Sequence, residues 1–144
     1  MDKNDRLVKG LSEFSIIFFC LSIIVFAISF PTIELTNNTN YMALSVISTI
    51  LMSISSILVL VISIILIVKV CSNSALSTTD KILWGFYLYF GNLFVIPFAI
   101  NKYILKNNDY SYAKKYFIFE IITLSISVLI FIFIFFQMMS LMDF

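Results

Sequence analysis

Two carboxylates stand where chemistry could begin. Glu13 opens one apolar run, and Glu120 lies just inside another. An acid held among apolar side chains is costly as an ion, so such a group can couple a proton or a cation. Each also has a plainer reading. Lys9 precedes Glu13 by four residues, the spacing of an ion pair on a helix surface. Glu120 is near enough to the end of its run to snorkel towards water or towards Lys114 and Lys115. A third polar feature pairs Asn92 with Pro97. The proline frees a backbone carbonyl near Leu93, and the Asn92 amide needs a partner at depth.

Other chemistries are short of parts. The chain has no histidine, the commonest general base and metal ligand. Cys20 and Cys71 share no metal-binding spacing and read as reduced thiols. Phosphate-loop and dinucleotide motifs are missing. A net charge of +1 offers no basic surface for nucleic acid. The expectation is a protein that is not an enzyme, with no catalytic residue, no cofactor and no metal site.

The elements that position these residues follow from composition. Of 144 residues, 61% are hydrophobic and 12% are charged. Soluble domains are ~45–50% apolar and ~25% charged, and a short soluble chain could not hide the excess. Four apolar runs, Phe14–Phe30, Met42–Val68, Ile82–Ile100 and Phe117–Phe136, approach or exceed the ~20 helical residues that cross a bilayer. Pro31 is expected to end the first. The predicted fold is an all-α integral membrane protein, a bundle of four hydrophobic helices in a single membrane domain. The helices are expected at about 12–30, 42–69, 81–104 and 113–138. The location is the cell membrane, multi-pass.

The third run is the odd one, because it holds Gly85, Gly91, Asn92 and Pro97. It either spans as a kinked helix or enters and leaves on one side. Charge bears on the choice. With four true spans and the N-terminus inside, five basic residues lie inside and four outside. If the third run re-enters, all nine lie inside, as the positive-inside rule favours.

Hydroxyl residues point to a packing seam. Ser45, Thr49, Ser53, Ser56 and Ser63 share one face of the second helix, where small residues let helices approach and bond across the contact. Thr123, Ser125 and Ser127 are compatible with a matching seam on the last helix. Trp84 and the tyrosines around it read as anchors at the membrane surface. Lys102, Lys106, Lys114 and Lys115 are candidates for contact with anionic lipid or a partner.

The stretch Asp80-Lys81-Ile82-Leu83-Trp84, then Gly91-Asn92, Pro97 and Lys102-Tyr103-Ile104, resembles small polytopic membrane proteins of low-GC Gram-positive bacteria, of the bacteriocin-immunity or accessory type. It is also similar to the short membrane hairpin that precedes phospholipase-D-type nuclease domains, whose activity does not carry over. Ala99-Ile100 stands where that pattern has an aromatic. The resemblance covers residues 80–104 and implies a non-catalytic helical protein that protects or assists through membrane contacts.

Two functions follow. One is helix–helix recognition in the bilayer, as an immunity-type factor or an accessory subunit, with a membrane-protein partner or a homo-oligomer. The other is a small homo-oligomeric transporter or channel using Glu13 or Glu120.

Overall fold

The structure is a computed structural model that describes residues 2–36 and 39–141, leaving aside the side chains of residues 33–36, 92 and 141. The described residues form five helices: α1 (Lys3–Thr36), α2 (Thr39–Cys71), α3 (Thr78–Phe90), α4 (Asn92–Tyr103) and α5 (Ser111–Leu141). Three of them, α1, α2 and α5, are long and apolar enough to cross a membrane.

In α1 the helix runs through Pro31 instead of stopping there. Proline cannot donate to the carbonyl one turn back, that of Ala27, and an apolar helix tolerates that loss. Beside it the Thr32 hydroxyl donates to the Ile28 carbonyl.

The third apolar run is two helices in place of one. Ser77 caps α3, its hydroxyl accepting from the Asp80 N–H. The chain breaks at Gly91, and α4 then returns beside α3. Lys102 Nζ comes to 5.1 Å from the centre of the Trp84 ring, so the end of α4 lies next to the start of α3. Gly91 is needed at the corner for space. A Cβ there would stand 2.3 Å from Val95 Cγ2 and 2.7 Å from the Tyr87 carbonyl oxygen. Each arm is about 18–20 Å long, short of a ~30 Å hydrocarbon core.

The hairpin also fixes the direction of α5. Lys9 of α1 lies over the Tyr112 ring, and Cys20 neighbours Thr123. Residue numbers rise together along the two helices, so α1 and α5 are parallel. A fully crossing third helix would have made them antiparallel. Lys69 at the end of α2 pairs with Asp5 at the start of α1. All nine Lys and Arg residues therefore gather at one end of the molecule.

Central in the fold, α1 packs on both α2 and α5, which do not touch each other among the described residues. The hairpin bridges α2 and α5 in the basic half only. Its tip lies level with the middle of α2, where Leu93 shares a small cavity with Phe19, Ser56 and Val59. The main core sits in that half, built from Val59, Ile62, Leu66 and Val70 of α2 and Leu88, Ile96 and Ile100 of the hairpin.

Close packing of α1 rests on small side chains. Ser15, Ser22 and Ser29 are buried at seven-residue spacing, and Ser48 and Ser55 on α2 continue into Ile62 at the same spacing. Seven-residue periodicity keeps one face against a gently crossing neighbour. Ser15 and Ser55 have no hydrogen-bond partner, and two other hydroxyls bond within their own helices. Ser22 donates to its own helix at the Phe18 carbonyl, and Ser48 to that of Ser45, at 2.8 and 2.9 Å. In a medium without water this local bond satisfies the hydroxyl.

The expected seam is therefore corrected. Ser45 and Ser63 are buried, but Thr49, Ser53 and Ser56 are exposed. The contact face of α2 is rotated towards Ser48 and Ser55. On α5, Thr123 and Ser127 are buried and Ser125 is exposed.

Candidate functional site

Glu120 is the most unusual group in the molecule. It lies on α5 in the face turned to α1, in the same buried stripe as Thr123 and Ser127. Cys20 approaches from α1, close enough for the two groups to interact electrostatically. The residue is fully buried, and neither carboxyl oxygen has a hydrogen-bond partner. Glu120 does not snorkel, and it forms no ion pair with Lys114 or Lys115, both of which are exposed. Its position on the inner face of α5 overrides its nearness to the end of the run.

The hydroxyls around it are already engaged. Thr123 donates to the Phe119 carbonyl and Ser127 to the Thr123 carbonyl, each at 2.8 Å. They cannot offer those protons to a carboxylate as well. An ionised acid without a partner costs several kcal/mol at membrane depth. The site can hold a proton at the carboxyl oxygens.

Glu13 lies one layer nearer the basic end. It pairs with Lys9 at 3.7 Å across one helical turn, as its spacing predicts. Tyr112 and Tyr116 of α5 flank it. The Lys9 ammonium in turn sits 5.3 Å from the centre of the Tyr112 ring. Lys9, Glu13 and Tyr112 thus form a polar clasp between the first turns of α1 and α5, and Glu120 lies below it.

Pro97 is buried inside α4. The side chain of Asn92, the other polar group expected to matter in this run, lies outside the described residues. Asn101, just past the end of the apolar run, is structural. It is fully buried, its Nδ2 donates to the Asn107 carbonyl at 2.7 Å, and its own carbonyl accepts from the Asn107 N–H at 3.1 Å. This clamp holds the turn that leads to α5. An asparagine at the last turn of an apolar helix, six residues before a second Asn, is the sequence signal for it.

The α5 start is set by Asp109, which accepts from both the backbone N–H and the hydroxyl of Ser111 at 3.0 Å. Those bonds hold its carboxyl below the usual carboxylate range. Lys102 and Lys106 line a cleft with Asn73, Tyr103 and Tyr110, whereas Lys114 and Lys115 lie outside it. Among the described residues no three His, Cys, Asp or Glu side chains converge as metal ligands.

No protein-family model, curated protein or solved structure matches the chain.

Proposed function

We propose that this is a non-enzymatic multi-pass protein of the cell membrane that acts by helix–helix recognition, as an immunity-type factor or an accessory subunit. In this reading the basic end faces the cytoplasm and α3–α4 is a re-entrant hairpin. The gathering of nine basic residues at one end supports that orientation.

One observation carries the recognition reading. The hairpin stops halfway, so the far halves of α2 and α5 flank α1 with no helix between them among the described residues. On α5, no residue from Val128 to Ser140 is buried, and Leu129 and Phe133 are 66% and 64% exposed. A helix apolar on all sides belongs among other helices or in lipid. The half-length gap fits a transmembrane helix of a membrane-protein partner.

The test is photo-crosslinking in native membranes from single positions along residues 128–140. Adducts to one distinct polypeptide, recurring with helical periodicity, are expected. Adducts to a second copy of the chain would make the protein a homo-oligomer. Labelling of lipid alone from every position would reject recognition.

A second reading, a small homo-oligomeric transporter, is favoured by one feature, the unpartnered carboxyl of Glu120. Glu13 suits it less, because Lys9 already partners it. Proton-coupled flux in vesicles that is lost in Glu120→Gln would support it. Flux absent from the unaltered protein would remove it.

A further inference from the structure

A cleft of about 360 Å³ opens at the basic end, between the α2–α3 turn and the segment joining α4 to α5. Asn73 and Leu76 come from the turn, Lys102 and Tyr103 from the last turn of α4, and Lys106 and Asn108 from the loop. We propose that this cleft binds the phosphate ester of an anionic phospholipid headgroup, with Lys102 and Lys106 as charge partners and the Tyr103 hydroxyl as a buried donor.

The Tyr103 hydroxyl is the pointer to a ligand. The residue is only 8% exposed, and its oxygen has no hydrogen-bond partner. A buried hydroxyl left unpaired loses its hydration without return, and an acceptor oxygen in the cleft would restore the balance. One of the two cations is positioned in advance. Lys102 is steered by the rings of Trp84 and Tyr103, at 5.1 and 5.5 Å from their centres. Lys106 takes a left-handed backbone conformation, φ 51°, beside the Asn101–Asn107 clamp. None of the lining residues is acidic. Asp80 is close enough to act on Tyr103, and its carboxylate accepts from the Ser77 hydroxyl at 2.7 Å; on the other side Lys106 also borders a cavity lined by Asp2 and Asp5.

The depth of the cleft points to a lipid as the source of the phosphate. Trp84, Tyr103 and Tyr110 gather around it, the residue types that mark a membrane–water boundary. Beside them α3 exposes Ile82, Leu83 and Phe86, an apolar flank for acyl chains. Basic pockets between membrane helices on the cytoplasmic side take anionic headgroups in this way. The inference rests on the membrane reading, and it is independent of whether the protein recognises a partner helix.

The experiment uses the full chain in nanodiscs of phosphatidylcholine, with or without phosphatidylglycerol. Retained lipid is read by native mass spectrometry after release into neutral detergent. Phosphatidylglycerol is expected to be retained and phosphatidylcholine is not. The double variant Lys102→Gln/Lys106→Gln should lose about tenfold in retention or more. Lys114→Gln/Lys115→Gln removes the same charge outside the cleft and should change little. Tyr103→Phe should weaken retention severalfold with the helical signal intact. Equal losses in the two double variants would mean diffuse attraction and overturn the site. Displacement of the lipid by millimolar inorganic phosphate would make a soluble phosphate the ligand and overturn the lipid assignment. If the cleft double variant fails to fold, Lys106→Gln and Tyr103→Phe decide, and unchanged retention in both rejects the proposal.

Discussion

The ring of Trp84 meets that of Tyr103 edge-on, with centroids 5.2 Å apart. In one continuous helix the same residues would be about 28 Å apart. This contact closes the base of the α3–α4 hairpin. It puts the loop after α4 at the same end as the N-terminus, and it sends α5 back in the direction of α1.

The sidedness this implies can be read with thiol labelling. Cys71 is exposed at the basic end and Cys20 is buried. In whole cells a membrane-impermeant reagent should label Cys71 only after lysis. Ser111→Cys in a Cys71→Ala background should behave identically. Thr39→Cys, at the opposite end, should label in intact cells. Labelling of Ser111→Cys from outside would mean that the third run crosses.

The parallel packing of α1 and α5 has its own test. Cys20 neighbours Thr123 across that contact. Thr123→Cys is expected to form an intramolecular disulfide with Cys20 under a membrane-permeant oxidant, seen as a mobility shift reversed by reductant. Ser125→Cys, on the exposed face, should not.

At the hairpin corner, Gly91→Ala should destabilise the fold by about 1–3 kcal/mol, because one of the contacts it creates is with backbone that cannot yield. Gly85→Ala meets nothing within 4 Å and should be neutral or stabilising by up to about 1 kcal/mol. Thermal unfolding in detergent, followed by Trp84 fluorescence, separates the two.

Glu120 carries a stability cost if it serves a function. Removing a buried, unpartnered polar group should stabilise the protein, so Glu120→Leu is expected to gain about 1–3 kcal/mol. Glu120→Lys should fail to accumulate. A large loss of stability in Glu120→Leu would show that the carboxyl has a partner in the working state.

Asn101→Leu should lose about 1–2 kcal/mol and free the 104–110 segment, since it deletes the side-chain half of the clamp on Asn107. Faster proteolysis of that loop in inverted vesicles is the readout, with α5 remaining protected.

What the sequence determined by itself is the class of the protein and the depth of its parts. Hydropathy alone marks α1, α2 and α5, because a span of ~20 apolar residues has few other stable homes. For the third run the sequence pulled both ways, its 19-residue length towards a full span and the Gly91–Pro97 interruption with the nine-to-none charge count towards a turn back, whereas helical spacing alone pairs Lys9 with Glu13. Rotation about each helix axis was not legible. In α2 and α5 nearly every face is apolar, so periodicity cannot say whether Ser48 or Ser53 meets α1, or that Glu120 turns inward. Those choices belong to the tertiary structure. The seven-residue serine spacing of α1 meets its counterpart on α2, and the folded hairpin sets the direction of α5. Together they decide which polar groups are sealed from lipid and which are left beside it.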